Sequence, residues 1–139
     1  AKEKFQNRAN IQWKFHGFVP NSLLTEEYRR IKPNLFITTS STEGGAPVSI
    51  QEAFSMGIPA IGTTVGGIPD LILDGQTGFL LPEQAEPSDV ADAIVKYASL
   101  DEEQKKNMAA AARFLWKQKF DAKENAMRFA AYLQNLTIE

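Results

Sequence analysis

The chain has 139 residues, 43% of them hydrophobic and 10% aromatic, with 15 Lys and Arg against 17 Asp and Glu, figures that describe a single globular domain over residues 1–139. It is large enough to build a core without disulfides or metal, and its zero cysteines exclude thiol catalysis, Cys-ligated zinc and a disulfide scaffold. The formal charge of −2 argues against a protein that binds nucleic acid by neutralising phosphates. No apolar run approaches the roughly 18 residues of a membrane span and no signal peptide opens the chain, so the expected compartment is the cytosol.

Taken in order, Ile11 to Phe15 alternates apolar and polar residues and ends at Gly17, which predicts a strand running into the loop Gly17-Phe18-Val19-Pro20. Asn21 or Ser22 can cap a short helix whose apolar face is Leu23, Leu24, Tyr28 and Ile31, and Pro33 stops it. Leu35 to Thr39 is a compact β-branched and aromatic run, the pattern of a buried strand, and a polar loop from Ser40 to Pro47 follows. A helix is expected from about Val48 to Met56, ended by Gly57. Pro59 to Thr63 reads as a second buried strand, Gly66-Gly67 as a turn, Ile68 to Leu73 as one or two helical turns, and Gly78 to Leu81 as a short strand closed by Pro82.

The remainder predicts three helices. Pro87 suits a first helical turn, and Ala91, Ile94, Val95 and Ala98 recur at the spacing of a buried face. Asp101 with Gln104 forms a capping-box pattern for the next helix, expected to bury Met108, Ala111 and Leu115. Ala126, Phe129, Ala130, Leu133 and Leu136 make the last stripe. Strand, helix and strand in short succession imply right-handed crossovers, hence an α/β fold with a Rossmann-like parallel sheet, helices on both faces and a helical C-terminal tail. Ligands of such sheets sit at the carboxyl ends of the strands, which directs attention to the loops after Phe15, Thr39 and Thr63.

The charges single out the same region. Residues 33 to 95 contain no Lys or Arg but eight acids, and eight of the nine glycines lie between Gly44 and Gly78. Within it, Ser41 to Phe54 carries the most chemistry. Small residues let a ligand approach the backbone, and the helix starting near Val48 directs unsatisfied N–H groups and its positive dipole end into the same space, an arrangement suited to a phosphate. Glu43 and Glu52 flank it, and carboxylates accept hydrogen bonds from sugar hydroxyls. Bland readings stand beside these. Ser49 and Glu52 fit a capping box, Glu43 fits a solvated loop residue, and Gly66-Gly67 fits a mere tight turn. His16, the only histidine, sits where a general base could act, yet no partner triad accompanies it and a structural role fits better.

The ordered series Glu43-Gly44, Pro47 to Phe54, Gly57 to Ile61, Thr63 to Gly67 and Asp74 to Leu80 resembles the carboxyl-terminal half of a family 4 (group 1) glycosyltransferase. That resemblance implies one half of a GT-B fold and a retaining enzyme that transfers a hexose from a UDP- or GDP-sugar donor to a glycan or lipid-linked acceptor, as in polysaccharide biosynthesis. It places Glu43 at the transferred sugar as the catalytic residue, backbone amides of Gly44, Gly45, Ala46, Pro47, Val48 and Ser49 around sugar and phosphates, Glu52 on the ribose hydroxyls, Gly17, Phe18 and Val19 along the base, and Gly66 and Gly67 as the wall behind. Pro47 has no N–H and can contribute only shape. No cofactor or obligatory metal is implied.

The chain departs from the family in two places. Eight residues separate Glu43 from Glu52 where the family has seven, which lengthens the Gly44-Gly45-Ala46 loop, and Asp70 stands where a glutamate is usual. The amino-terminal acceptor domain and the cations for the donor diphosphate are expected outside this segment, with Lys2, Lys4, Arg8, Arg29, Arg30 and Lys32 as poor substitutes. The chain by itself is thus expected to bind a nucleoside diphosphate weakly and to transfer nothing. Any membrane association is expected to be peripheral and through the full-length protein. The alternatives are a non-catalytic interaction module and half of a nucleotide-sugar epimerase. A phosphorylation receiver is set aside because the strand ending at Ser40 supplies no phosphoacceptor aspartate.

Overall fold

Residues 11–136 are described by the structure, a computed structural model, and they fall into two units divided after Ile31. The cations Lys2, Lys4 and Arg8 lie outside the described residues. Among the described residues of the first unit lies helix α1 (Asn21–Ile31), entered through a backbone bond from Leu23 N–H to the Pro20 carbonyl at 2.9 Å. The strand expected over Ile11 to Phe15 is not present: the segment joins no ladder. Alternation alone does not make a strand, because backbone N–H and C=O groups must find a partner strand as well. Its side chains do keep a period of two, since the Trp13 and Phe15 rings meet edge to face with centroids 5.2 Å apart.

The second unit is built on a three-stranded parallel sheet in the order β1 (Phe36–Thr38), β2 (Ala60–Thr63), β3 (Gly78–Leu81). Phe36 pairs with Ala60 and Ala60 with Gly78, so all three strands run level and finish together. Between β1 and β2 lies helix α2 (Val48–Ser55), and after β3 come α3 (Pro87–Ala98), α4 (Glu102–Lys119) and α5 (Ala122–Leu136). The pleat of β2 divides the core: Ala60 joins Ile50, Phe54, Val65, Ile68, Leu71, Ile72, Ala112 and Leu115 on one side. Ile61 joins Phe79, Leu81, Ala93 and Met108 on the other. Both faces of the sheet are therefore covered, as a sheet of buried β-branched runs requires.

The segment Ile68 to Leu73 makes one helical turn, within the one or two expected, closed where the Ile68 carbonyl accepts from Leu71 at 3.0 Å and Ile72 at 2.9 Å. The buried faces of the later helices need correction. Helix α3 buries Ala93, flanked by Val90 and Tyr97, whereas Ile94 is 41% and Val95 65% exposed. Two apolar stripes of helical spacing lie on α3, and the sheet takes the one with a small residue at its centre. Ala93 lets the helix approach closely, and one turn on the Tyr97 hydroxyl donates to the Asn34 carbonyl at 2.8 Å. On α4 the Asp101–Gln104 capping box forms as expected, with bonds of 2.7 and 2.9 Å, but Ala112 is buried in place of Ala111. The stripe on α5 is present but exposed throughout.

Candidate functional site

At the carboxyl end of the sheet the polypeptide leaves β1 into the loop Ser40–Pro47 and leaves β2 into Thr64–Gly67, and these two loops touch. Gly67 N–H donates to the Gly45 carbonyl at 3.2 Å. A Cβ on Gly67 would lie 2.6 Å from the Ala46 nitrogen, and one on Gly66, whose φ is +50°, would strike the Glu43 carbonyl. The double glycine is thus more than a tight turn: it removes the side-chain bulk that would hold the two loops apart.

Beneath the loop a chain of hydroxyls fixes Glu43. Thr63, buried at the end of β2, donates its hydroxyl to the Ser40 carbonyl at 2.6 Å. Ser40 Oγ donates to Glu43 Oε1 at 2.8 Å and lies 3.2 Å from Thr38 Oγ1. A hydroxyl has one hydrogen, so with that of Ser40 given to the carboxylate, Thr38 is the donor to Ser40. Glu43 is half-buried and oriented, not a freely solvated loop carboxylate. Ser40, Thr38 and Thr63 were not singled out from the sequence as site residues. The run Thr38-Thr39-Ser40-Ser41 at a strand end was the available signal.

Helix α2 starts where the loop ends. Pro47 is its N-cap, without a side-chain cap, so Ser49 lies inside the first turn and the Ser49–Glu52 capping box does not form. The N–H groups of Val48, Ser49 and Ile50 occupy the positions that have no intrahelical acceptor, at the positive end of the helix dipole. Gly44, Gly45, Ala46, Val48 and Ser49 are all exposed there, whereas Ile50, Ala53 and Phe54 are fully buried and hold the helix against the sheet. Gln51 stays outside the core and braces the loop, its Nε2 donating to the Ala46 carbonyl at 3.1 Å. Glu52 is half-buried one turn into α2, the next carboxylate after Glu43. A small cavity of about 290 Å³ opens at the carboxyl ends of the strands between Thr39, Ser41, Thr63 and the segment Glu83–Ala85. A larger cavity, about 660 Å³, lies at the opposite end of the sheet beside Asn34, Pro59 and Tyr97, away from these loops.

Gly17, Phe18 and Val19 belong to the first unit. Phe18 and Val19 line a cavity of about 470 Å³ with His16, Leu23, Glu27 and Arg30. Glu27 is gripped by Arg30, Nε to Oε2 at 2.8 Å and Nη2 to Oε1 at 2.5 Å, and His16 Nδ1 meets Oε1 at 2.9 Å. The Arg30 hydrogen bond, with the Arg30 charge and His16 adding to it against a desolvation cost, lowers the Glu27 carboxyl to about 2. His16, expected without a partner, therefore has one. Among the described residues no group of three or more His, Asp or Glu side chains is placed to hold a metal ion, and no helix is long and apolar enough to cross a membrane.

Residues 2–114 match the family model described as Glycosyl transferases group 1. Among curated relatives, N-acetyl-alpha-D-glucosaminyl L-malate synthase of Bacillus anthracis is 45% identical over 64 residues, 46% of this chain and 16% of the relative. Sulfoquinovosyl transferase SQD2 of Arabidopsis thaliana is 34% identical over 104 residues, 71% of this chain and 19% of the relative. Among solved structures, Alr3699/HepE of Anabaena in complex with UDP-glucose is similar with a TM-score of 0.59 and 26% identity, over 73% of this chain and 28% of that one. The chain spans no more than about 30% of the length of these curated relatives. With the family model matched over residues 2–114 and a parallel sheet covered on both faces, the chain belongs to the group 1 glycosyltransferases and has the α/β architecture of part of their GT-B fold.

Proposed function

We propose that this chain is the donor-binding part of a retaining hexosyltransferase that uses a UDP-sugar and passes the sugar to a glycan or lipid-linked acceptor held elsewhere in the full protein. The observation that carries the reading is the junction of Gly66-Gly67 with Glu43–Ala46 at the amino end of α2. It exposes backbone amides and a helix dipole in one place, with the oriented carboxylate of Glu43 before the helix and Glu52 one turn into it. The UDP-glucose complex of Alr3699/HepE supports UDP over GDP as the donor nucleotide.

In this reading the amides of Gly44 to Ala46 and of Val48 and Ser49 take the diphosphate and sugar, with Pro47 shaping the bend. Glu52 accepts from the ribose hydroxyls and Glu43 from the transferred sugar. Phe18 and its neighbours Gly17 and Val19 contact the base. Because residues 33 to 95 hold no Lys or Arg, charge building on the departing diphosphate meets backbone dipoles from this segment and cations supplied from outside it. Catalysis then rests on orientation and electrostatic stabilisation, with no metal or other cofactor. The compartment proposed is the cytosol, where the same donor is drawn on. Calorimetric titration of the chain with UDP and GDP tests the reading. Saturable, weak binding of UDP with no sugar transfer by the chain is expected. Transfer above background by the chain alone would contradict the division of labour, and a preference for GDP would reassign the donor.

A further inference from the structure

The cavity of about 290 Å³ at the carboxyl ends of the strands has no part in the donor site described above, yet all three strands build it. Thr39 and Ser41 follow β1, Thr63 ends β2, and Glu83, Gln84 and Ala85 follow β3. Its walls are fixed from the core. Thr63 is buried, and Leu81 at the end of β3 accepts from Thr64 N–H at 3.0 Å. Ala85 packs against the cluster of Ile61, Phe79 and Leu81. The next residue, Glu86, is the N-cap of α3, and its N–H donates to Asp89 Oδ2 at 2.8 Å. The segment Glu83–Ala85 is thus tied at both ends, and a wall ordered in advance loses little freedom when a ligand enters. The cavity also shares a wall with the Glu43 support. Ser40, between Thr39 and Ser41, gives its hydroxyl to Glu43, while Thr63 lines the cavity and donates to the Ser40 carbonyl.

The lining is chemically selective. It offers the hydroxyls of Thr39 and Ser41, the carboxylate of Glu83 and the carboxamide of Gln84, and none of these side chains is hydrogen-bonded to another described residue. The Thr63 hydroxyl has already given its proton to Ser40, so it can only accept. No Lys or Arg lines the cavity and residues 33 to 95 contain none, so Glu83 repels a phosphate or an acidic sugar unopposed. Small-molecule pockets start at roughly 300 Å³, so this one has room for a single ring and not for a nucleotide. We propose that the cavity is a subsite for one uncharged hexose ring, with Glu83 accepting from its hydroxyls and Thr39 and Ser41 bonding in either direction. Its assignment to the acceptor rests on the donor-site reading above, which gives the transferred sugar to Glu43. This segment then contributes to acceptor choice, favouring neutral over acidic sugars, while the remainder of the acceptor is held elsewhere in the full protein.

The test follows the backbone amide resonances of the chain, with and without UDP, during titration with glucose, galactose, mannose and glucuronate. The amides of Thr39, Ser41, Gln84 and Ala85 should shift saturably with at least one of the three neutral hexoses, and glucuronate should bind about tenfold more weakly. Glu83→Ala should weaken that hexose about tenfold and Thr39→Val about fivefold, the scale of one hydrogen bond lost to a charged and to a neutral group. Both positions are exposed, so both variants should fold, and their UDP affinity should stay within about twofold of wild type. Glu83→Gln, which keeps an acceptor and removes the charge, should bring glucuronate close to the neutral hexose. No saturable shift with any of the three hexoses, shifts confined to Glu43–Ser49, or equal hexose affinity in wild type and Glu83→Ala would overturn the proposal. Hexose shifts at the cavity in a chain that binds no UDP would instead overturn the donor-site reading, and with it the assignment of this ring to the acceptor.

Discussion

Two loops of this chain are built in opposite ways. The loop Ser40–Pro47 is held from below by the core: Thr63 is buried, its hydroxyl bonds to Ser40, and Gly66-Gly67 closes against Glu43–Ala46 with no side chain between. The loop Gly17–Pro20 has no buried residue, and at its stem stands the partly exposed His16–Glu27 pair. The first is therefore as stable as the sheet that carries it, and any change to it is felt as a packing change. The second can be altered with little cost to the fold. Rigid backbone of the first kind suits a diphosphate whose charges must be met at fixed points.

The contrast is broken most severely by Gly66→Ala. The new methyl collides with the Glu43 carbonyl, and the residue must keep a φ of +50°, so the loops separate. A loss of roughly 2–3 kcal/mol is expected, visible as a fall in melting temperature, together with loss of UDP binding. Ser40→Ala is sharper. It removes the hydroxyl that orients Glu43 and leaves the backbone bond from Thr63 untouched, so the cost to stability should be near 1 kcal/mol. Sugar transfer by the full protein should fall with UDP affinity preserved, which a kcat measurement against KM separates.

The smallest effect concerns pH. Glu27 titrates near 2 when folded against 4.5 as a free side chain, so its carboxylate stabilises the folded state fully above about pH 4.5 and loses that contribution as pH falls toward 2. The difference in stability between wild type and Glu27→Gln should therefore shrink over that window, as followed by denaturation at successive pH values. A difference that stays constant would mean that the Arg30 contact does not persist in solution.

Much of the scaffold was legible because the decisive signals are local. The apolar runs ending in Thr38 and Thr63 are bounded by Pro and Gly, and the capping pair Asp101–Gln104 is written in four consecutive residues. What escaped depends on contacts between distant residues. Nothing in α3 says which of its two apolar stripes meets the sheet, because that is decided by where Ala93 and Tyr97 find Ile61 and Asn34. The Ser49–Glu52 pattern suggests a capping box, but the helix begins two residues too early for it, at Val48 after Pro47. At the site, the carboxylates and glycines stand out by type and spacing, whereas Ser40 and Thr63 matter through a bond across 23 residues. His16 looked solitary for the same reason, its partner lying 11 residues on and across a loop.

The central claim, that the amino end of α2 and its two flanking carboxylates form a donor site, is tested most directly by titrating UDP into the wild-type chain and into a folded Glu52→Ala variant. The account predicts saturable UDP binding by the wild type that weakens by about tenfold or more in the variant, the scale of one or two lost hydrogen bonds to a charged acceptor. Equal affinity in the two proteins, or no saturable binding of UDP by the wild type, would contradict it.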